Sequence, residues 1–556
     1  MDFVLMLHSH LPWVLNYGRW PHGSDWLCEA AVDTYIPLLD ALDCLAADGV
    51  SAPVTLGITP VLAAQLSNPA FLTEVEAFFA QRLVACEEAP ASLAASGDAA
   101  LLPLVAFWRG RLTHLRDVLH RADGDLIAAF RRHQDEGRIE ITSSCATHGF
   151  LPLLGRDESI RLQLFAGLNE HRRLFGRAPT GCWLPECAFR PPGPWHPPGA
   201  RAKAYRQGTA HHLAAAGYRY FFVDAHLPQA GEYLGVYGEV MRGAANETEV
   251  QHAVGRGDAD HASAHRRSPY RAYRVSGGPI EALVRDPRST RQVWSRHEGF
   301  PGDPAYLEFH KIRWPGGLKL WRVTGGDVDL GGKVAYDPAA ARERARRHAE
   351  HFAWILGDIA ATHPGDDAIV APFDTELFGH WWFEGVDFIA DLYRSLGSSP
   401  VLPATAREHV EAHPAKTTVR LGEGSWGANG DFSMWLNDQT AWTWQRLWPL
   451  EEAFWSVARR ALSGNAAQRR ILAQAARSLL LAQASDWQFV ISTGAASDYA
   501  ERRFAGHCGD AEKLVAALAD GAPPDALEEG VRRADEMAVR DDLFPGVLDA
   551  VGQALQ

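Results

Sequence analysis

The chain is poor in cysteine, with seven residues in 556. They stand at positions 28, 44, 86, 145, 182, 187 and 508, an odd and scattered set without a CxxC pair. That spacing argues against a zinc ribbon and against a disulfide framework, and it fits free thiols in a reducing cytoplasm. Long apolar runs are lacking as well. No stretch approaches the roughly 18 apolar residues of a membrane-spanning helix, so none is expected. Residues 1–7 are apolar, but they are too short for a signal peptide and lack its basic start. Positive charge is in deficit, 54 Lys and Arg against 68 Asp and Glu, a net charge of −14. Nucleic-acid binding needs clustered positive charge, so that class of partner is not expected. No membrane and no obligate protein partner is expected either.

What is present is ordinary in bulk and unusual in one respect. Hydrophobic residues make up 47% and charged residues 22%, as in a soluble globular protein. The length calls for two or three domains. Aromatics stand out: 19 Trp and 13 Tyr. Flat aromatic faces make good platforms for sugar rings, although most tryptophans in any protein belong to the core.

Residues 3–7 read as a buried strand, short, apolar and continuous. The strand runs into His8-Ser9-His10, and residues two apart on a strand face the same way. A helix is expected from Ser24 or Asp25 as cap to about residue 47, carrying Trp26. Residues 54–60 form a second strand with a polar exit. Helical stretches follow, interrupted at 87–99 by an Ala/Ser-rich segment expected to be a loop. Residues 138–142 form the third strand and lead to His148. Residues 180–184 form the fourth, ended by Pro185, which lacks the N–H a ladder needs. Glu186 follows beside Trp183. The fifth, 218–224, ends in Asp224. Residues 229–276 lose their apolar periodicity and read as a long excursion, a candidate lid with Tyr233 and Tyr237 near its tip. Residues 318–323 alternate like a strand. Residues 339–362 form a long amphipathic helix, and 368–374 the last strong strand, with Asp374 at its end. Beyond about residue 400 the pattern is helical.

Strand, polar exit and helix thus recur to about residue 375, the signature of parallel βα units. A barrel of such units gathers its reactive groups at the C-terminal strand ends. His8, His10, His148, Glu186, Asp224 and Asp374 all fall there. Each alone reads as an ordinary core or surface residue. Their recurrence at one topological position argues for a site. Two carboxyls flanking one bond are the machinery of glycosyl transfer, and a retaining enzyme holds them about 5–5.5 Å apart.

Four motifs, HSHLPW at 8–13, ATHGFLPLL at 146–154, WLPECAF at 183–189 and APFDTELFGHWWFEG at 371–385, closely resemble the characteristic regions of glycoside hydrolase family 57. QVWS at 292–295, SWG at 425–427, MWLND at 434–438 and SDWQF at 485–489 resemble its 1,4-α-glucan branching enzymes. The likeness spans roughly residues 1 to 505. It implies an irregular seven-stranded (β/α) barrel over 1–400, including a polar lid near 229–276, and a mainly α-helical C-terminal domain over 401–556 that lends aromatics to the cleft. It also implies Glu186 as nucleophile and Asp374 as acid/base. By the same likeness His10 lies beside the donor sugar, and Trp26, Trp294, Trp426 and Trp435 contact glucan, with Asp486 and Trp487 in the last motif. His8, His148, Trp183, Phe378 and His380 complete the expected substrate-binding set. A tyrosine on the lid, Tyr233 or Tyr237, would favour transfer over hydrolysis. The segment 238–271 is longer and more polar than is typical of the family.

The expected partner is an α-1,4-glucan, and the chemistry needs no metal or organic cofactor. Close alternatives on the same scaffold are a 4-α-glucanotransferase, an α-amylase or an amylopullulanase. A metal-dependent hydrolase or deacetylase would instead use His8, His10, His148 and Asp374 as zinc ligands. A glucan-binding protein without catalysis would have no need of both carboxylates.

Overall fold

The computed structural model describes residues 1–556 apart from 202, 232–266, 295–298 and 524. Most of the expected lid, 232–266 with Tyr233 and Tyr237, falls outside the described residues.

Apolar runs too short for helices become the strands of one curled sheet. β1 (Asp2–Ser9) lies between β10 (Ala368–Asp374) and β2 (Thr55–Ile58). The order continues through β3 (Glu140–Ser144), β4 (Gly181–Trp183), β7 (Tyr220–Val223) and β9 (Glu281–Val284). All neighbours along this path are parallel. A single parallel bridge from Arg285, just past β9, to Val370 in β10 joins the two ends. The result is the expected irregular barrel of seven parallel strands. The remaining strands are peripheral. β5 (Gly193–Trp195) and β6 (Ala204–Arg206) form a hairpin. β8 (Tyr273–Val275) pairs antiparallel with β9 and parallel with β12 (Thr418–Val419), and β11 (Leu402–Pro403) pairs with β1.

Burial on both faces explains the strand composition. Residues 3–9 of β1 are all buried, because helices cover a parallel sheet on its outside and side chains fill its inside. The register aligns His8 with Asp374 on adjacent strands. Register therefore brings two of the polar strand ends together before any side chain is considered.

Three local expectations are corrected. The helix over residues 24–47 has Gly23 as its N-cap, with no side-chain cap, because the Ser24 hydroxyl donates to Glu74 instead (2.8 Å). That helix also contains a π turn, Ala31–Tyr35, a feature often found at functional sites. Most of 87–99 is not a loop: the helix Pro69–Ser96 runs through 87–96, with Pro90 inside it, and is capped by Gly97 with φ +80°. Alanine is the best helix former, and a left-handed glycine ends helices readily. Residues 318–323 alternate but form no strand. They make isolated bridges to residues 307, 313 and 335, in a segment broken by Pro315, Gly316, Gly317 and Gly325.

The later helices dock on the barrel through buried indoles and amides. Trp448 Nε1 donates to the Leu153 carbonyl (2.8 Å) and Trp455 Nε1 to Ser159 Oγ (2.9 Å). Gln163 Nε2 donates to Gln483 Oε1 (3.0 Å). These contacts position the helix Asp486–Thr493, whose first residue enters the site described next. Among the described residues no helix is long and apolar enough to cross a membrane.

Candidate active site

Glu186 sits three residues past β4, in the short turn Pro185–Cys187. Its backbone is left-handed (φ +61°), as are those of Cys187 (φ +48°) and His148 (φ +58°). Such conformations cost an L-residue about 1 kcal/mol or more and cluster where a side chain must be aimed. The residue is 7% exposed. Trp426 Nε1 donates to Oε2 (3.0 Å) and Ser485 Oγ donates to Oε1 (3.1 Å). His148 Nδ1 stands 3.7 Å from Oε1. Burial pushes the Glu186 carboxyl up to about 7, while the indole hydrogen bond, His10 and Ser485 pull against that rise.

Asp374 closes β10. Its carboxyl is held well above the usual range, first by burial and then by repulsion from Glu376 and Glu186, against an opposing pull from Arg285. Among the described residues no hydrogen bond favours its charged form. The two carboxyls therefore sense one another but differ in environment. Hydrogen-bond donors favour the anion at Glu186, whereas neighbouring negative charge favours the proton on Asp374.

Three histidines line one wall of the site. His8 Nε2 and His148 Nε2 share a hydrogen bond (3.1 Å). His10 stacks on His148 at 4.0 Å, and His8 stacks on Trp183 at 4.7 Å. Burial and the neighbouring His10 keep His8 well below the ordinary histidine range; burial and the other two imidazoles do the same for His148. Burial lowers His10 too, but the carboxylates of Asp486, Glu186 and Glu376 outweigh it, so its value is raised. His10 Nε2 faces both Asp486 oxygens at 3.0 Å, and its Nδ1 lies 3.0 Å from Thr59 Oγ1. Within this site, His10, His148 and Asp486 offer atoms close enough together for a metal ion. Asp374 is not in that group, so the zinc set considered from sequence is not the one the fold assembles.

Asp224 is fully buried in an ion pair with the equally buried Arg285 (3.1 Å). Burial raises its carboxyl, but Arg285 and His226 outweigh this and leave it lowered. It acts as a structural counter-ion. The buried Cys187 thiol feels Arg285, Asp224, Glu186 and Asp374 together. The polar strand ends therefore converge on one small volume.

A profile described as glycosyl hydrolase family 57 matches residues 4–422. The chain belongs to this family. A second profile, for the C-terminal part of 1,4-alpha-glucan branching enzymes, matches residues 447–549. A 1,4-alpha-glucan branching enzyme of Thermococcus kodakarensis is 38% identical over 550 residues, covering 98% of this chain and 77% of that protein. The crystal structure of that enzyme superposes with a TM-score of 0.89 at 36% identity, covering 100% of this chain and 96% of the other. A novel alpha-amylase, AmyC, from Thermotoga maritima superposes with a TM-score of 0.78 at 27% identity, covering 99% and 98%.

In this family 57 chain the expected aromatics divide by burial. Trp183, Phe378, Trp426, Trp435 and Trp487 are at most 1% exposed. A sugar ring needs an open face, and these five rings are enclosed by protein. Trp426 is the clearest case, with its N–H committed to Glu186. Trp435 stacks on Phe150 at 4.5 Å, and Trp487 Nε1 donates to the Leu481 carbonyl (2.8 Å). Trp26 and Trp294 are partly exposed, and Trp294 meets Trp426 edge-on at 6.0 Å. His380 is buried with Nδ1 3.4 Å from Asp33 Oδ2.

Sequence reasoning passed over Arg285, Glu376, Tyr35 and Ser485. Glu376 accepts from the Tyr35 hydroxyl and from the His10 backbone N–H (3.1 Å). Ser485 stands next to Asp486 in SDWQF, and Glu376 two residues after Asp374. For these two, proximity to a motif was the available signal; Arg285 and Tyr35 carried none.

Removing the indole donor tests how Glu186 is tuned. Trp426→Phe should raise the Glu186 carboxyl, because a hydrogen bond to the anion is lost. The acid limb of the pH–activity profile should move up by about one unit. An unchanged acid limb would mean that the indole does not set the charge of Glu186.

Proposed function

We propose that the chain is a retaining 1,4-α-glucan branching enzyme. It cleaves an α-1,4 bond and rebuilds it as an α-1,6 branch. The observation that carries the reading is the unequal pair: Glu186 held by donors, Asp374 pushed toward its acid form, both at strand ends of one barrel. Glu186 attacks the anomeric carbon and forms a glycosyl-enzyme, while Asp374 protonates the departing oxygen. Once the reducing-end piece has left, Asp374 takes the proton of an incoming 6-hydroxyl. That oxygen displaces Glu186, and the configuration is retained. Raised carboxyls suit this cycle, since Asp374 must hold a proton near neutral pH and then release it.

His10, paired with Asp486, sits by the donor sugar, and its raised basicity favours a positive charge beside the Glu186 region. The neutral His8–His148 pair keeps that wall polar without adding charge. The barrel residues before about 400 carry both carboxyls, and the region after 401 contributes Trp426, Ser485 and Asp486. The described cysteines are all free thiols, which fits a cytoplasmic site of glucan synthesis.

Hydrolysis, as in the alpha-amylase that superposes on this fold, uses the same first step with water as acceptor. Product linkage separates the two. On amylose, reducing ends should stay nearly constant until isoamylase cuts the new branches, and then rise. Reducing ends that rise without debranching, with no further increase after it, would make the chain a hydrolase.

A further inference from the structure

Most of the indoles near the site are buried, and Trp381 is not. It is 55% exposed. Its ring lies 4.7 Å from that of Phe309, with the planes inclined by 33°. His380 meets both rings edge-on, at 5.2 and 5.5 Å. A polar group borders the pair. Lys319 Nζ lies 5.1 Å over the Phe309 ring and 3.1 Å from Asp33 Oδ2, the oxygen that also faces His380 Nδ1. An exposed indole face packed on Phe309, beside a charged donor and a charged acceptor, is what a sugar ring asks for. The rings stack apolar C–H faces, and the hydroxyls need donors and acceptors at the edge.

The patch is tied to the catalytic centre by a short hydrogen-bonded path. The Trp381 backbone N–H donates to the Glu376 carbonyl (3.1 Å), and Glu376 Oε1 accepts from the His10 backbone N–H. Glu376 lies two residues past Asp374 in the same loop. Asp33 comes from the π turn that also sends the Tyr35 hydroxyl to Glu376. The patch therefore flanks Asp374, while Trp426, Ser485 and His148 surround Glu186. In a double displacement, the acid/base touches the leaving oxygen and the incoming hydroxyl, and the nucleophile touches the donor carbon. The Asp374 flank is the side from which one chain departs and the next arrives.

We propose that Phe309 and Trp381, with Asp33 and Lys319 at their edge, form an acceptor-side subsite that holds an α-glucan chain for transfer. The inference rests on the branching reading above. A held acceptor chain competes with water for the glycosyl-enzyme, so the subsite sets the ratio of transfer to hydrolysis.

The test uses the full-length protein and the variants Trp381→Ala, Phe309→Ala and Trp381→Phe. Affinity for amylose is read by retardation in native gels, and branches formed per hydrolytic end by reducing ends before and after isoamylase. Each alanine variant should weaken amylose binding about tenfold and lower the branch-to-hydrolysis ratio by a similar factor, as for loss of an aromatic anchor. Trp381→Phe should recover most of both. Both side chains sit at a rim, so unchanged unfolding curves are expected and separate a binding loss from misfolding. Unchanged amylose affinity in the two alanine variants would overturn the subsite. Weakened affinity in variants of an enzyme that forms no branches would keep the subsite as a glucan site and overturn branching instead. Weakened affinity with an unaltered branch-to-hydrolysis ratio would overturn its acceptor-side role.

Discussion

Glu186→Gln should abolish transfer and, above neutral pH, make the protein more stable. The loss of activity follows from chemistry: an amide cannot form the glycosyl-enzyme, and removal of a covalent nucleophile costs on the order of 10⁴-fold or more in turnover. The gain in stability follows from burial. The Glu186 carboxyl is pushed from 4.5 up to about 7 by desolvation. A carboxyl raised in the folded state binds its proton more tightly there than in the unfolded chain. Its favourable contribution is complete below about 4.5 and is lost as pH rises toward 7. Above that window the wild-type protein carries a buried charge whose cost is about 1–3 kcal/mol. Glutamine has the same shape, has no charge to bury and can still accept from the Trp426 N–H. The variant should therefore unfold at higher denaturant than wild type at pH 8, with the difference shrinking toward pH 4.5. Its removal also takes a negative neighbour from Asp374, whose carboxyl should fall toward the usual range. Near-normal turnover in this variant would sink the assignment of the nucleophile. A variant less stable than wild type at pH 8 would mean that the hydrogen bonds to Glu186 outweigh its burial.

The sequence was legible where local chemistry alone decides the outcome. Short apolar runs ending in polar residues could only be buried parallel strands, and all six polar strand-end residues lie where that reading put them. The register that pairs His8 with Asp374 then follows from the sheet. Side-chain exposure was not legible. Nothing in SWG or MWLND tells whether Trp426 or Trp435 faces a cleft or lies behind it, because the rings that cover them, Trp183 and Trp294 against Trp426 and Phe150 against Trp435, are distant in sequence. Arg285 illustrates the same limit. It follows an unremarkable strand; pairing of β9 with β7 brings it against Asp224, and closure of the barrel brings it within reach of Asp374. The helix through 87–96 failed for a different reason. Alanine and serine occur in loops and helices alike, and the packing that holds them helical involves partners far along the chain.

Arg285 carries the other large expected effect. It is fully buried, as is Asp224, and the two are 3.1 Å apart. Its guanidinium also lies 5.6 Å from the Trp426 ring. Arg285→Met should destabilise the protein by about 3–5 kcal/mol, since Asp224 is left as a buried charge without its cation. Asp224→Asn together with Arg285→Met removes both charges and should recover most of that loss, because a neutral pair has no buried charge to compensate. The double variant also separates structure from catalysis. Arg285 pulls the Asp374 carboxyl down against burial and its two negative neighbours. Without the cation Asp374 rises further and holds its proton to higher pH. The basic limb of the pH–activity profile should therefore shift upward in the double variant even though its stability is restored. A basic limb that stays in place would show that Arg285 serves the fold alone. A double variant as unstable as the single one would show that the guanidinium's other contacts, including the Trp426 face, contribute more than its ion pair.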